Sequence, residues 1–160
     1  MSKLDKAYYN SPLGTLEITG NTNGIFSILF RDENIVDSKE IPASLQKCVT
    51  QLNEYFSGAR KTFELVLQPE GTKFQRSVWN ELLKVPFGKT RSYLEQSKKL
   101  GDVKAIRAIA SANGKNPISI IIPCHRIIGS DGSLTGYAGG IWRKRWLLEH
   151  ESGTKQQTLF

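Results

Sequence analysis

Apolar residues in the first 69 positions are spaced as in a small mixed α/β unit. Residues 15–20 alternate apolar with polar, residues 24–30 are largely apolar, and Asn23-Gly24 at their junction is typical of a hairpin turn. Residues 43–58 have helical spacing, and Gly58 predicts the end of that helix. Residues 63–67 are interpreted as a further strand. The apolar face of the helix is predicted to comprise Leu45, Cys48, Val49, Leu52, Tyr55 and Phe56.

The pattern changes to helices from residue 72 onward. Thr72 followed by Gln75 is a capping-box pattern, which predicts a helix that continues to about Lys84. The buried stripe of this helix is predicted to comprise Phe74, Val78 and Leu82.

A helix-turn-helix pattern follows. Ser92 and Glu95 form a second capping box, and the helix that they begin is predicted to end near Lys99. Asp102 is predicted to cap the next helix, which Asn113-Gly114 ends. Two short helices around a three-residue turn that contains glycine are typical of DNA-binding corners, but many other helical domains contain such a corner too.

The second of these helices is predicted to have two unlike faces. The inward face comprises Val103, Ile106, Ile109 and Ala110, and the outward face comprises Lys104, Arg107, Ala108 and Ser111. The outward face is small apart from two cations, so it could lie against a nucleic acid groove; an ordinary solvated surface is the alternative. Tyr93 also has two interpretations: it packs, or it brings a ring and a hydroxyl to a helix start that favours phosphate.

Charge is segregated along the chain. Residues 1–71 hold seven Lys and Arg against nine Asp and Glu, a net charge of −2, whereas residues 72–160 hold fifteen against six, a net charge of +9. A concentrated positive field favours polyanions. The second half is therefore the expected contact surface for a nucleic acid.

The length of 160 residues suits one compact unit or two small lobes. We predict an α+β fold with a small α/β lobe over residues 1–69, a mainly helical lobe with a winged-helix-like helix-turn-helix unit over residues 72–152, and a flexible tail over residues 153–160. No apolar run approaches the roughly 18 residues that span a bilayer, and the polar start does not resemble a signal peptide. The expected location is the cytoplasm, at the nucleoid if DNA is the partner.

The candidate chemistry centres on Cys124 and His125, which follow a β-branched run and a proline. The chain has two cysteines and two histidines. The other cysteine, Cys48, is predicted to be a core thiol. A zinc site at the Cys-His pair would need a second chelating pair at suitable spacing, which the sequence lacks, so no metal is predicted.

A nucleophilic thiol is the other hypothesis for this pair. A free thiol has a pKa of about 8.5 and needs a neighbour such as histidine to become a thiolate near neutral pH. Adjacent side chains on an extended chain point to opposite sides, so His125 needs a turn or a bridging water to act on Cys124. A carboxylate that fixes the histidine would complete a triad, and Glu149 and Glu151 both qualify.

Three stretches, NPISIIIPCHRIIGSDGSLTGYAGG, KRWLLEHE and PFGKTRSY, resemble the O6-alkylguanine-DNA alkyltransferases, also called methylated-DNA–protein-cysteine methyltransferases. The resemblance covers residues 72–152 without a gap, and its Pro-Cys-His-Arg core between Asn-Pro and Gly-Tyr-x-Gly-Gly is highly specific. It implies DNA repair by irreversible, single-turnover transfer of the O6-alkyl group to the protein's own cysteine. It leaves O4-alkylthymine open as a second substrate.

The resemblance also implies roles for individual residues. Cys124 would be the attacking thiolate, His125 the base that acts through water, and Glu151 the carboxylate that holds His125. Asn116 would shape the active-site turn through a hydrogen bond to backbone. Tyr93 would serve the flipped base and could give a proton to the leaving guanine.

DNA is expected to be bound through the minor groove, where recognition is largely sequence-blind, with the damaged base flipped out of the duplex. Arg107 would fill the gap left by that base. The further DNA contacts are expected from Tyr93, Lys104, Ser111 and Arg126. The base pocket is expected to comprise Tyr137 and the backbone of Ala138 and Gly139, where some relatives have Ser in place of Ala138. We expect the protein to be a monomer and to need no cofactor.

Three other classes of function remain open at this stage. A cysteine hydrolase would use the same Cys-His-Glu set but would not need a basic helix-turn-helix. An alkyltransferase-like protein that recognises damage without transfer would lack the reactive cysteine, so Cys124 counts against it. A transcription regulator would normally dimerise, and no dimerisation segment is evident.

Overall fold

The computed structural model describes residues 3–33 and 35–153. The predicted tail, residues 153–160, lies outside the described residues apart from Gly153. Contacts divide the chain into two compact units, and residues 117–119, which we had placed in the second lobe, belong to the first of them. The two units comprise residues 1–70 with 117–119, and residues 71–116 with 120–160.

A three-stranded antiparallel sheet in the order β1-β2-β3 forms the centre of the first unit. Its strands are β1 (Asp5–Ser11), β2 (Gly14–Asn21) and β3 (Gly24–Arg31). The pairing of β2 with β3 confirms the predicted hairpin. Strand β1 was not predicted, because only Ala7 of its seven residues is buried and its sequence shows no apolar alternation.

Residues 63–67 do not form the predicted strand. Only Leu67 makes a bridge, which runs parallel to Ile25 of β3. The backbone of Glu64 pairs instead with the side-chain amide of Gln51: its N–H donates to Oε1 at 2.9 Å and its carbonyl accepts from Nε2 at 3.2 Å. A side chain thus satisfies backbone groups that a neighbouring strand would otherwise pair.

Gln51 belongs to helix α1 (Ala43–Phe56), which covers the sheet of the first unit. The buried residues of α1 confirm most of the predicted face, although Val49 and Phe56 are only partly buried. Cys48 is fully buried, and burial raises the pKa of its thiol to about 12. Cys48 is therefore a core thiol, as predicted.

The second unit is mainly helical, which confirms the α+β class. No helix among residues 3–33 and 35–153 is long and apolar enough to cross a membrane. A short parallel pair of strands accompanies the helices. The elements of this unit are α2 (Lys73–Leu82), β4 (Arg91–Ser92), α3 (Tyr93–Lys99), α4 (Ile106–Gly114), β5 (Ile127–Ile128) and α5 (Ile141–Ser152).

Both capping boxes form as predicted, at the start of α2 and of α3. The buried stripe of α2 differs from the predicted one, because Phe74 is 43% exposed and Trp79 is buried instead. The indole N–H of Trp79 donates to the carbonyl of Ala112 at 2.8 Å. This bond ties α2 to α4 and satisfies the only polar group of the indole, which allows the large apolar ring of Trp79 to be buried.

The helix-turn-helix corner is made by α3 and α4, but α4 begins later than predicted. Asp102 caps a 3₁₀ turn, Val103–Ala105, by accepting a hydrogen bond from the N–H of Lys104 at 2.9 Å. A 3₁₀ turn has about 3.0 residues per turn rather than about 3.6, which rotates the residues after it. Val103, which lies in this turn, and Ala110, which lies in α4, are both exposed, contrary to prediction. The buried residues of α4 are Ile109, Ala112 and Asn113.

Candidate active site

Cys124 begins a 3₁₀ turn, Cys124–Arg126, directly after Pro123. The N–H of Cys124 donates to the carbonyl of Ile122 at 2.8 Å. The chain therefore turns at the Cys-His pair. A turn was one of the two alternatives, together with a bridging water, by which the sequence analysis expected His125 to act on Cys124. Ile120 has a φ of +74°, a conformation that a β-branched residue adopts only under strain, and such strain is concentrated at functional sites.

The thiol of Cys124 is partly exposed and has a polar neighbour. The side-chain amide of Asn116 points its Nδ2 at the sulfur, 3.3 Å away, and donates to the carbonyl of Ile122 at 2.7 Å. Burial raises the pKa of Cys124, while Asn116 and the charge of Lys144 lower it in part. The resting thiol is thus protonated and needs a base to become a nucleophile.

His125 and Glu151 form the pair that the resemblance implied. His125 Nε2 lies 2.8 Å from Glu151 Oε2, and both side chains are buried. Glu149, the other candidate from sequence, is not the residue that holds the ring. His125 Nδ1 is buried and has no hydrogen-bond partner in the protein. A proton on Nε2 that is held by Glu151 leaves Nδ1 free to accept one.

The charge states of this pair suit a base. Burial lowers the pKa of His125, and Glu151 offsets only part of that shift, so the ring is neutral at pH 7. Burial alone would raise the pKa of Glu151, but hydrogen bonds and charges from His125 and Arg126 outweigh it and hold this pKa well below its usual range. A permanent carboxylate therefore faces a neutral imidazole.

Arg126 does not lie where a DNA contact requires it. Its guanidinium is buried, donating from Nε to Glu151 Oε1 at 2.7 Å and from Nη2 to Glu151 Oε2 at 3.0 Å. The remaining nitrogen, Nη1, donates to the carbonyl of Val85 at 2.7 Å. All three nitrogens are used inside the protein, so the prediction of Arg126 as a DNA-binding residue is wrong. Its position instead makes it the anchor of Glu151.

A pocket of about 190 Å³ opens at Cys124. It is lined by Tyr93, Ala110, Asn113, Gly114, Cys124, Gly136, Tyr137 and Ala138. The structure therefore places Tyr93, Tyr137 and Ala138 around one pocket with Cys124, and their role in holding a base stays a prediction. Gly139 is not among the lining residues, and its carbonyl accepts a hydrogen bond from Arg143 Nη1 at 3.1 Å.

Tyr93 and Lys144 hold one wall of this pocket. The hydroxyl of Tyr93 and the ammonium of Lys144 both donate to the carbonyl of Thr135, each at 2.9 Å. Lys144 is fully buried, and burial lowers its pKa to about 8. Sequence reasoning missed Lys144, although it shares a helix face with Leu147, Leu148 and Glu151 at spacings of three, four and seven residues.

Asn113 lines the pocket and was also missed by sequence reasoning, as were Ala110, Gly114 and Gly136. It had been interpreted only as part of the signal that ends α4. The exposed residues Lys104, Arg107 and Ser111 lie on or beside the same helix, and their roles at DNA stay predictions. Among residues 3–33 and 35–153, no group of three or more His, Cys, Asp or Glu side chains could hold a metal ion.

Comparison with known proteins agrees with this geometry. Residues 4–69 match the family model described as "6-O-methylguanine DNA methyltransferase, ribonuclease-like domain", and residues 73–153 match the one described as "6-O-methylguanine DNA methyltransferase, DNA binding domain". A methylated-DNA–protein-cysteine methyltransferase of Methanosarcina barkeri is 45% identical over 152 residues, which are 90% of this chain and 96% of that one.

Two solved structures from Mycobacterium tuberculosis are similar over most of the chain. The O6-methylguanine methyltransferase has a TM-score of 0.85 and 40% identity, and the match covers 98% of each chain. OGT in complex with DNA has a TM-score of 0.84 and 42% identity, and the match covers 92% of this chain and 93% of that one. Sequence, fold and the Cys124 site together show that this chain belongs to the methylated-DNA–protein-cysteine methyltransferase family.

Proposed function

We propose that this protein repairs DNA by moving an alkyl group from O6 of guanine to the sulfur of Cys124, irreversibly and once per molecule. The observation that carries the proposal is the arrangement around the thiol. A partly exposed Cys124 opens into a pocket, and a neutral, buried His125 beside it is held by Glu151 with one nitrogen available. The similar proteins are named for the same type of transfer.

The reaction follows from these groups. His125 Nδ1 would take the thiol proton through one bridging water, and the thiolate would attack the alkyl carbon in line. A carbon–sulfur bond forms while the carbon–oxygen bond breaks, and the electron pair leaves with guanine O6. Tyr93, whose pKa is raised by burial so that its hydroxyl is protonated beforehand, would give that proton to the guanine, and the proton held by His125 would replace it through solvent. The thioether product has no reverse path in this site.

The substrate atom lies inside a duplex, so the damaged base has to leave the stack. We infer that the protein acts as a monomer and that α4 enters the minor groove. The exposed face of α4 has mostly small side chains and few charges, so it can approach the floor of a narrow groove. Arg107 would occupy the gap in the stack, and Lys104 and Ser111 would contact the backbone. A protein that acts on DNA in this way would work in the cytoplasm, at the nucleoid if its source is bacterial.

The direct test is mass measurement after the protein is mixed with a duplex that carries one O6-methylguanine. We expect the intact protein to gain one methyl group per molecule and no more, and the peptide that contains Cys124 to carry it. A duplex with unmodified guanine is the control. Tight binding without a gain in mass would contradict the proposal and indicate a protein that recognises damage only.

Replacing Arg107 by alanine tests the assignment of base flipping. Because flipping costs a few kcal/mol, loss of the inserted side chain should slow transfer from duplex DNA at sub-saturating protein by about tenfold or more. Transfer from the free base O6-benzylguanine, which needs no flipping, should change less than about twofold. Lys98→Ala, which removes an exposed cation from α3, is the matched control. Equal slowing with both substrates would show that Arg107 acts elsewhere.

A further inference from the structure

Two buried amide side chains, Gln96 of α3 and Asn113 of α4, are paired face to face. Gln96 Nε2 donates to Asn113 Oδ1 at 2.7 Å, and Asn113 Nδ2 donates to Gln96 Oε1 at 2.8 Å. Gln96 is fully buried and Asn113 is 6% exposed. Two reciprocal bonds fix both amide planes, so neither group can rotate without breaking the pair.

The pair reaches the reaction site through Asn113, which lines the pocket of Cys124. An amide has two N–H groups and two oxygen lone pairs, and the bonds to Gln96 engage one of each. The second N–H and the second lone pair of Asn113 are not used by Gln96. The pocket wall on the α4 side therefore includes one amide-bearing residue of fixed orientation, beside Ala110 and Gly114, which add little side-chain bulk.

We propose that Gln96 and Asn113 select the alkyl group that is transferred, favouring groups that carry a hydroxyl over apolar groups of the same size. The proposal rests on the proposed function, because it concerns the substrate of the same thiol. Asn113 touches the alkyl group, and Gln96 is a positioning residue that acts through Asn113.

The physical basis is the asymmetry of buried hydrogen bonds. A group that travels from guanine O6 to Cys124 has to lie in a pocket of about 190 Å³, close to its walls. A hydroxyl on the alkyl group can pair with the Asn113 amide, whereas an apolar group covers that amide and leaves it unpaired. A site built to pair with a hydroxyl discriminates strongly against analogues that lack it.

The test compares two substrates that have equal numbers of heavy atoms in the alkyl group, O6-(2-hydroxyethyl)guanine and O6-propylguanine, each in the same duplex. The measured quantity is the ratio of the single-turnover transfer rate of the hydroxyethyl group to that of the propyl group. It is determined for the unaltered protein and for the variant Gln96→Leu/Asn113→Leu. Replacing both partners removes the amides without leaving either unpaired. We expect the ratio to fall by about tenfold in the double variant, the effect of one lost hydrogen bond. The intrinsic reactivity of the two groups cancels in this comparison.

Two further variants separate selection from stability. Gln96→Leu alone leaves the Asn113 amide in place without orientation and should give an intermediate ratio. Gln51→Leu removes a buried amide that does not line the pocket, so it should lower the melting temperature and leave the ratio unchanged. A double variant whose ratio stays within twofold of the original would overturn the proposal. Failure of the unaltered protein to accept a methyl group would overturn the proposed function instead.

Discussion

Replacing Cys124 by serine is expected to abolish alkyl transfer. The hydroxyl of serine is far less acidic than a thiol, and its oxygen is a weaker nucleophile than a thiolate toward the sp³ carbon of the alkyl group, so His125 alone should not activate it enough for transfer. Single-turnover transfer from O6-methylguanine DNA should therefore fall below detection, a loss of at least about 10⁴-fold on the scale set by removal of catalytic nucleophiles. Intact-protein mass after overnight incubation is the measurement.

Binding should survive this substitution, because no proposed DNA contact involves the sulfur. A gel-shift assay with the damaged duplex should give an affinity within about threefold of that of the unaltered protein, a change smaller than the factor of ten that 1.4 kcal/mol produces. The matched control is Cys48→Ala. It removes the other thiol, which is buried in the first unit, and should leave the transfer stoichiometry unchanged. Methylation that persists in Cys124→Ser but disappears in Cys48→Ala would refute the assignment.

The parts of the fold that could be predicted from sequence are those fixed by neighbouring residues. The capping boxes at Thr72 and Ser92 close within one helical turn, so three residues suffice to locate each helix start. The candidate nucleophile could be proposed for a similar reason, because Cys124 and His125 are adjacent in sequence, and its role stays a prediction. The resemblance supplied Glu151, which spacing alone did not separate from Glu149.

The parts that could not be predicted depend on residues far apart in sequence. Residues 63–67 stay irregular because Gln51 pairs with the backbone of Glu64, and the sequence of that segment gives no sign of it. Val103 was wrongly placed on the inward face of the helix because it lies in a 3₁₀ turn that precedes α4. Arg126 was expected at the surface as a DNA contact. Instead it is buried, because it pairs with the carboxylate of Glu151, which lies 25 residues away in sequence.

Replacing Glu151 by glutamine should slow transfer and weaken the fold together. The neutral amide cannot hold the imidazole in the correct tautomer or stabilise the imidazolium that forms when His125 takes the thiol proton. Because general base catalysis contributes about 10²–10⁴-fold, the single-turnover rate should fall by a factor in that range. Glu149→Gln changes the neighbouring candidate on the same helix and is the matched control. A slower Glu149→Gln than Glu151→Gln would reverse the assignment.

The effect of Glu151 on stability depends on pH in a direction that its pKa determines. The pKa of this carboxyl is lower in the folded protein than in the unfolded chain, so its stabilisation is fully present above the unfolded value and is lost as pH falls toward the folded one. At pH 7, Glu151→Gln leaves the buried Arg126 without a counter-charge and should lower the free energy of unfolding by about 3 kcal/mol or more. As pH falls below about 4, the difference between the two proteins should shrink, because the unfolded chain of the unaltered protein then binds a proton at Glu151 that its folded form does not bind. Denaturant unfolding at pH 7 and at acid pH measures both values. A difference that stays constant across this range would mean that Glu151 stabilises the unit through its packing and not through its charge.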